Sequence, residues 1–329
     1  MAFLSVGFAR LFLGAAGLAM LLAAPVACAT YSIVACDQQG DCGAAVATNN
    51  LAVGASVPYA RARVGALVSQ FETNPEYGPK GLNLLAAGAS PQAAIDTLLK
   101  EDGNFDGTTI AERQVGMVDA HGRSAAYTGA EAALSTWSGV IRGEGFSIQG
   151  NGLAGERVLS SMKNTFLQQR GTLAERMMAA LEAGQAAGGQ TIGMMSAALV
   201  LRTPEGAWQD IDLRVDGAAM PIDDLHRLLE QHYALQSIIR AEHRAQAGDK
   251  AGARMSIAEA LHRSYGWDRI WRRAARLAMQ MGDTDRALDY LGVFVSINPV
   301  WAKLELDDDI YRPLRGNSLF DAWASQPSK

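Results

Sequence analysis

Residues 30–50 read TYSIVACDQQGDCGAAVATNN, and this stretch predicts the β-hairpin from which the rest of the fold can be worked out. Two strand-like runs, residues 30–36 and 42–49, flank the polar stretch 37–41. Small and β-branched residues on both sides of a short polar loop are typical of two antiparallel strands joined directly. The chain therefore starts its folded part with a pair of neighbouring strands.

Counting along a symmetric hairpin predicts which side chains meet. Cys36 lies opposite Cys42, so a disulfide is expected there, and Thr30 lies opposite Thr48. Because side chains alternate between the faces of a strand, Thr48 and Asn50 share the face of Thr30, and we count both as candidate substrate-binding residues. Alternatively, Asn50 and the asparagine before it form only a turn that ends the strand.

The sequence before the hairpin is typical of a secretory signal peptide. Arg10 supplies a positive charge, residues 11–26 are apolar, and the small residues Ala27 and Ala29 occupy the positions that signal peptidase reads. The apolar run is too short to be a convincing membrane span. We predict cleavage after Ala29, a periplasmic or secreted protein, and a mature chain that begins at Thr30.

A lipoprotein signal is the competing interpretation, with Cys28 as the lipidated residue. Pro25 argues against it, because it stands where such signals usually carry Leu or a similar aliphatic residue. The distinction matters, since lipidation at Cys28 would leave Thr30 inside the chain and without a free amine.

Composition excludes several classes of function. The chain has 329 residues, and removal of residues 1–29 leaves 300, which is room for two domains or one large one. A formal net charge of -5 argues against nucleic acid as a partner. The five histidines show no paired metal-ligand spacing, so no metal or other cofactor is predicted.

One motif matches the fingerprint of a dinucleotide-binding site, but its context does not fit. Residues 150–155, GNGLAG, match the G-x-G-x-x-G fingerprint of dinucleotide-binding folds. However, the helical stretch after it is double, no acidic residue stands at the end of the next strand, and hairpins precede it. A parallel β-α-β unit does not fit this context.

The order of elements over residues 30–216 predicts the fold class. Blocks of strands alternate with pairs of helices, which favours antiparallel sheets covered by helices, an α+β domain. Besides the hairpin, the expected strands are residues 51–57, 64–70, 113–119, 123–127, 145–149, 195–202 and 207–215. Helix pairs are expected before and after the middle strands. Ser90 and Pro91 begin one helix, and Thr172 with Glu175 forms a capping box for another.

Four motifs resemble a known family. They are TYSIVA at residues 30–35, NPEYGPKGL at 74–82, RQVG at 113–116 and GFSIQGN at 145–151. Together they resemble the bacterial "domain of unknown function 1028" family over about residues 30–214. That family is similar in fold to the N-terminal nucleophile (Ntn) hydrolases, which implies a four-layer αββα sandwich. It also implies a nucleophile as the first residue, and the family threonine maps onto Thr30.

The chemistry expected of an Ntn site can be assigned to named residues. Thr30 supplies the nucleophilic hydroxyl, and its own α-amine acts as the base. Backbone amides near Ser69 and Gln70, or the side chain of Asn151, are candidate donors to an oxyanion. Arg61 is a candidate for pairing with a substrate carboxylate, although an exposed loop arginine is more often only a solubilising charge.

Residues 217–329 read as helices. The Gly-Asp pairs at 248–249 and 282–283 are 34 residues apart, the period of tetratricopeptide repeats. The plain alternative is a helical bundle in which this spacing is coincidental. This second domain is a candidate for binding a protein or a cell-wall partner.

The sequence thus predicts an exported Ntn-type amidohydrolase that acts on a small amide, a peptide or a cell-wall-derived substrate. The alternative from a different class is a non-catalytic periplasmic binding or scaffold protein with an Ntn-like sandwich and a helical partner-binding domain. Sandwiches of this type often associate, so a homo-oligomer is possible in either case.

Overall fold

The computed structural model describes residues 29–325, and its N-terminal part contains two antiparallel sheets. The strands are β1 (Thr30–Cys36), β2 (Cys42–Thr48), β3 (Pro58–Arg61), β4 (Gly65–Phe71), β5 (Arg113–Asp119), β6 (Ser124–Thr128), β7 (Gly139–Gly143), β8 (Phe146–Asn151), β9 (Ser196–Arg202) and β10 (Ile211–Val215). The first sheet has the order β10-β9-β2-β1-β8-β7, and the second has the order β3-β4-β5-β6. Strand β1 is therefore central, with β2 on one side and β8 on the other.

Helices cover the outer faces of the two sheets. The helices of the N-terminal part are α1 (Tyr77–Ala86), α2 (Pro91–Lys100), α3 (Ala130–Ala133), α4 (Glu156–Gln168) and α5 (Leu173–Ala186), of which all but the short α3 cover the sheets. Helices α1 and α2 share an apolar core with the four-stranded sheet, and α4 and α5 share another with the six-stranded sheet. The predicted α+β class and antiparallel sheets are confirmed for this part of the chain.

The local signals for helix starts also hold. The Ser90 hydroxyl accepts a hydrogen bond from the amide of Ala93 at the start of α2, with Pro91 in the first turn. Thr172 and Glu175 form the predicted capping box at the start of α5. Such caps satisfy backbone donors that have no partner inside the helix.

The first hairpin has the register that counting along the sequence predicts. Thr30 pairs with Thr48, and Cys36 pairs with Cys42, where a disulfide joins the two strands. Every residue of β1 and β2 is buried. These strands thus form the middle of the domain, between α5 on one face and the second sheet on the other.

The space between the two sheets is divided into an apolar end and a polar end. Near the disulfide it is filled by aliphatic side chains from both sheets, including Val34, Val46, Val68 and Val118. Toward Thr30 the residues on the same faces become hydroxyls and amides that are almost fully buried. Buried polar groups must find hydrogen-bond partners, so this end carries a specific network.

The prediction of a strand over residues 51–57 is wrong. They contain a turn and a short 3-10 helix, Val53–Ala55, and the third strand follows as β3. Ala52 has a left-handed backbone with φ 54°, and its amide donates to the carbonyl of Asp216. The side chain of Val53 is buried between the sheets. The apolar residues of this segment hold a turn against the core. In the sequence, such a turn has the same apolar pattern as a short buried strand.

The C-terminal part is entirely helical. Its helices are α6 (Pro221–Gln246), α7 (Lys250–Arg263), α8 (Asp268–Gln280), α9 (Thr284–Ile297), α10 (Pro299–Leu306) and α11 (Ser318–Ala324). Both Gly-Asp pairs lie in loops between packed helices, α6 with α7 and α8 with α9. Gly248 and Gly282 have left-handed backbones, with φ of 82° and 78°, as helix-ending glycines commonly do. The 34-residue spacing thus marks two equivalent turns.

Helix α6 belongs to both parts of the molecule. Ile222, Leu225 and Leu229 in its first half pack into the core beneath the six-stranded sheet. Ala234 and Ile238 in its second half pack with α7 and α8. The helix thus ties the C-terminal helices to the first core.

A second connection is polar. Arg263 at the end of α7 donates to Glu175 of α5 and to Glu230 of α6, each at 3.0 Å. All three side chains are at most a quarter exposed, which favours a persistent contact over a solvated one. None of the helices within residues 29–325 combines the length and the apolar character needed to cross a membrane.

A buried ion pair fixes the segment before β5. The guanidinium of Arg113 donates to both carboxylate oxygens of Asp102 at 3.0 and 3.2 Å, and Tyr77 and Asn74 donate to the same carboxylate. Burial acts to raise the pKa of Asp102, but hydrogen bonds from these three partners outweigh it and hold that pKa below its ordinary value. Arg113 also donates to the carbonyl of Glu72. One side chain therefore holds two loops together.

Replacing Arg113 with Met should strongly destabilise the protein, because it leaves the Asp102 carboxylate buried without its cation. We expect the free energy of unfolding, measured by urea denaturation at pH 7, to fall by about 3–5 kcal/mol. Arg123→Met is the matched control. Arg123 pairs with Asp119 but its side chain is half exposed, and we expect a loss below about 1 kcal/mol.

The Asp102 contribution should also depend on pH. A lowered pKa in the folded state stabilises the protein above the unfolded-state pKa of about 3.9, and this stabilisation is lost as the pH falls through the folded-state pKa. If the Arg113 and Arg123 variants lose equal free energies of unfolding across that pH range, this account of the ion pair is contradicted.

Candidate functional site

Thr30 begins β1 with its side chain on the face between the two sheets. Its Oγ1 lies 3.0 Å from Oγ1 of Thr48, the residue directly opposite on β2. The Thr48 hydroxyl also lies 2.8 Å from the carbonyl oxygen of Ala29, to which it donates. Thr48 thus contacts both the hydroxyl of Thr30 and the carbonyl group that precedes Thr30 in the chain.

These two contacts fix the direction of the hydrogen bond between the threonines. A hydroxyl has a single hydrogen, and Thr48 uses its hydrogen on Ala29. The Thr30 hydroxyl must therefore donate to Thr48, whose oxygen also lies 3.4 Å from the amide nitrogen of Asn50. With Ala29 in place, the lone pairs of Thr30 Oγ1 are not used in this contact.

Asn151 lies on the other side of Thr30, at the end of β8. The two residues are direct partners in the β1–β8 register, and both side chains are on the face between the sheets. Asn151 is fully buried, and its Nδ2 donates to Oε1 of Gln114 at 2.8 Å. Its Oδ1 is buried and has no hydrogen-bond partner among the described residues.

A chain of buried side chains connects Asn151 to the second sheet. Gln114 of β5 accepts from Gln70 of β4 at 2.7 Å, and Gln70 accepts from the hydroxyl of Ser32 on β1 at 2.6 Å. Gln149 donates to the same hydroxyl at 2.7 Å. The network crosses between the sheets and returns to β1 two residues from Thr30.

A cavity of about 820 Å³ reaches this end of β1 and is lined by Ala29. Its lining includes three acidic residues, Glu72, Glu112 and Glu131, together with Thr, Ser and a few apolar residues. No Lys, Arg or His is found among the described residues that line it. The lining is thus acidic, and it includes Ala29 but neither Thr30 nor Thr48.

Part of the cavity wall is a strained backbone. Phe71, the last residue of β4, has a φ of 67°, in the left-handed region that bulky residues rarely adopt. The amide of the next residue, Glu72, donates to the carbonyl of Glu112, and Arg113 donates to the carbonyl of Glu72. These contacts hold the strained residue in place at the cavity, as often occurs at ligand sites.

A slightly larger cavity, of about 870 Å³, lies at the opposite end of the domain. It is lined by Cys36 and the hairpin loop, together with Arg142, Lys163 and Arg176. Cys36 ends β1 whereas Thr30 begins it, so this cavity is a full strand length from the threonine. We therefore assign the candidate site to the cavity at Ala29.

The structure brings some of the expected site residues together and leaves others apart. Thr30, Thr48, Asn151 and Gln70 share the face between the sheets, and the amide of Asn50 lies beside the Thr48 hydroxyl. The expected disulfide cysteines lie at the far end of the same hairpin.

Ser69 and Arg61 are placed elsewhere. The side chain of Ser69 lies on the helix side of β4, where it accepts from the amide of Asn74, and its own amide donates to the carbonyl of Val57. Arg61 is exposed and donates to Asn83 of α1. Neither residue lines the cavity at Ala29, because alternation turns Ser69 away and Arg61 ends a different strand.

Sequence reasoning missed Gln114, Ser32 and Gln149. A signal was present for Ser32 and Gln114, since each lies on a strand face that also carries Val. Gln149 lies on a face of β8 that is polar throughout, with Ser147 and Asn151. It also missed the cavity glutamates, which come from a loop, a 3-10 helix and a short α-helix, none of which strand patterns register. Within residues 29–325, no three His, Cys, Asp or Glu side chains converge as metal ligands.

Gln114 is expected to be the most sensitive point of the network. Replacing it with Leu removes the acceptor for Gln70 and Asn151 and the donor to the Gly150 carbonyl, all buried. Unpaired buried polar groups cost about 1–3 kcal/mol each, so urea denaturation should show a loss of at least about 2 kcal/mol. Gln92→Leu is the control, because exposed Gln92 donates to Asp96 of its own helix and takes no part in the network. Equal losses of unfolding free energy for the two variants would contradict the assignment.

Comparison with known proteins places the first part of the chain in a family. Residues 30–225 match the sequence profile of a family of unknown function, DUF1028. The chain is also similar to the crystal structure of protein SPO2555 from Silicibacter pomeroyi, described as a DUF1028 protein. The identity is 30%, the TM-score is 0.55, and the match covers 62% of this chain and 85% of that one. No curated protein matches the chain. On these grounds the chain belongs to the DUF1028 family of unknown function.

Proposed function

We propose that the protein is an exported hydrolase of the Ntn type, with Thr30 as its first residue and its nucleophile after cleavage at Ala29. The observation that carries the proposal is the position of the Thr30 hydroxyl. It lies at the end of a central strand, bonded to Thr48, where a cavity of about 820 Å³ ends at Ala29. Removing Ala29 would open the cavity to a hydroxyl and an amine on the same residue.

The arrangement of layers supports the proposal. Two antiparallel sheets face one another, and a pair of helices covers each outer face, in the order expected of an αββα sandwich. The family match also begins at residue 30, the residue that would be first in the mature chain. In this interpretation signal cleavage is both an export step and an activation step.

The chemistry follows from the groups at Thr30. The hydroxyl would attack the carbonyl carbon of an amide, and the α-amine would take its proton and return it to the leaving nitrogen. Water would then hydrolyse the acyl ester on Thr30. A free α-amine ordinarily has a pKa of about 7.7–8.0, close to neutral, which suits a group that must both accept and donate a proton.

Thr48 is our candidate for binding the substrate carbonyl. In the uncleaved chain its hydroxyl donates to the carbonyl oxygen of Ala29 at 2.8 Å, directly beside the nucleophile. Loss of Ala29 frees this donor, and a substrate carbonyl in the same position would receive the same hydrogen bond. The Ala29 carbonyl thus stands in for the acyl group of a substrate.

The cavity wall narrows the class of substrate. Three glutamates and no basic residue line the described part of the cavity, so an anionic substrate would be repelled. We therefore favour small amides or peptides that carry an amine over substrates with a free carboxylate near the scissile bond. Cell-wall peptides with a free amino group belong to this class.

Substrate screening with Thr30 variants tests the proposal. The exported protein should hydrolyse an amine-bearing amide or peptide, and Thr30→Ala should lower the rate by at least about a thousandfold, because the nucleophilic hydroxyl is lost although the α-amine remains. Thr30→Ser should keep part of the activity, since it retains a hydroxyl and an amine. Release of the amine product would be followed by mass spectrometry.

Thr97→Ala is the control for threonine replacement, because Thr97 is half-buried on α2 and its hydroxyl donates to the Ala93 carbonyl of the same helix. The intact mass of every variant must show the same cleavage position. Full activity of a correctly cleaved Thr30→Ala chain would rule out the mechanism. A protein that begins at Thr30 and hydrolyses nothing in the screen would favour the non-catalytic scaffold.

A further inference from the structure

The unpaired oxygen of Asn151 is unusual in this molecule. Among the described residues, three buried side-chain atoms have no hydrogen-bond partner: Asn151 Oδ1, Gln190 Oε1 and Trp271 Nε1. Of these, only Asn151 pairs directly with Thr30 in a strand ladder. A buried acceptor without a donor is costly, so its presence beside the proposed nucleophile calls for an explanation.

The network fixes which atom of the Asn151 amide is left over. Gln114 donates through Nε2 to the carbonyl of Gly150 at 3.1 Å, and a carbonyl can only accept. Oε1 of Gln114 must therefore point the other way, where it accepts from Gln70 and Asn151. This places Nδ2 of Asn151 on Gln114 and leaves Oδ1 as the free atom, so the assignment does not depend on an arbitrary amide orientation.

The strand ladder also fixes the direction of the Thr30 backbone nitrogen. The amide of Cys36 donates to the carbonyl of Gly145 on the β8 side at 2.9 Å. Hydrogen-bonded pairs recur at every second residue of an antiparallel ladder, and Thr30 is six residues before Cys36. The nitrogen of Thr30 therefore faces β8, where its direct partner is Asn151.

We propose that Asn151 Oδ1 is the acceptor that holds the α-amine of Thr30 after cleavage, with Gln114 as the residue that positions Asn151. As an amide, the Thr30 nitrogen has one hydrogen, which the β1–β8 ladder uses. Hydrolysis of the Ala29–Thr30 bond converts it to an amine with two hydrogens, or three when protonated. The new donors appear beside the one acceptor of Asn151 that the network leaves unused.

This inference rests on the proposed cleavage at Ala29 and revises the role expected of Asn151. Its amide nitrogen already donates to Gln114, so the side chain acts on the base of the reaction and is not primarily an oxyanion donor. A hydrogen bond to the amine orients its lone pair toward the Thr30 hydroxyl. Because the same bond also stabilises the ammonium form, it holds the pKa of the α-amine up against the effect of burial.

The charged groups that face this amine are limited. Its direct strand partners are Thr48 of β2 and Asn151 of β8, and Asn151 leads to Gln114 of β5 and Gln70 of β4; all four are uncharged. The lining of the cavity adds three acidic residues, Glu72, Glu112 and Glu131. These also favour the ammonium form, so the test must separate their effect from that of residue 151.

The pKa of the Thr30 α-amine is the quantity to measure. A mature chain labelled with 13C and 15N at threonine would be titrated by NMR, and the Thr30 signals would be assigned by comparison with Thr30→Ser. Asn151→Ala should lower the α-amine pKa by about 1 unit, through loss of the acceptor. Asn151→Asp should raise it by a similar amount, because a carboxylate then faces the ammonium. Gln114→Met should lower it less than Asn151→Ala does.

Two controls test whether the change in the α-amine pKa is specific to residue 151. Ser147→Ala removes a buried hydroxyl from the far end of the same network and should leave the α-amine pKa unchanged. Glu131→Gln measures the contribution of a cavity carboxylate. If neither Asn151→Ala nor Asn151→Asp moves the pKa, or if both move it in the same direction, the inference is overturned. Should Asn151→Ala fail to fold, the rise expected for Asn151→Asp still decides.

The titration uses no substrate, so its result is independent of hydrolysis. If residue 151 controls the α-amine pKa of a mature chain that cleaves no amide, this inference is supported and the proposed activity is ruled out. A chain that hydrolyses through Thr30 with an α-amine pKa indifferent to residue 151 would do the reverse.

Discussion

The hydrogen-bonded chain between the two sheets is the constraint on which the candidate site depends. It runs from Ser32 through Gln70 and Gln114 to Asn151, and each member is fully buried. Each bond contributes only about 1 kcal/mol to stability, but a missing partner costs more than a bond gains. The network therefore favours one arrangement of these side chains, because other arrangements would leave more buried polar groups without hydrogen-bond partners.

This constraint gives the two ends of the central hairpin different characters. At one end the disulfide and aliphatic side chains pack the sheets together in an ordinary core. At the other end polar groups hold Thr30 between Thr48 and Asn151 beside an acidic cavity. In the proposal, Ala29 uses the Thr48 hydroxyl and separates the cavity from Thr30, so a single bond cleavage changes the hydrogen-bond pattern on both sides of the nucleophile.

The sequence predicted the parts of this arrangement that are local. The short loop sets the register of the first hairpin, and that register brings Thr30 opposite Thr48. Capping residues set the starts of α2 and α5, and the grouping of strands indicated antiparallel sheets. Each of these depends on residues close together in the chain, where spacing alone is informative.

Contacts between distant segments were not predictable in the same way. Gln114 and Asn151 meet because β5 and β8 face one another across the two sheets, and no spacing in the sequence encodes that meeting. The same holds for the cavity glutamates and for the double role of α6. For residues 51–57, buried apolar side chains in a turn resembled a strand. Predictions for residues 1–28, including the signal peptide and Cys28, lie outside the residues that the structure describes.

The N-terminus of the exported protein tests the central claim most directly. Intact mass and N-terminal sequencing should give a chain that begins at Thr30 and contains one disulfide. Unfolded and treated with periodate, this chain should lose its terminal threonine side chain, because the reagent cleaves a free amine next to a hydroxyl. The signal peptide of a Thr30→Ala chain should be removed at the same bond, after Ala29, and the resulting chain should resist periodate because its first residue has no hydroxyl. A chain that begins at any other residue, or that carries lipid on Cys28, would contradict the account.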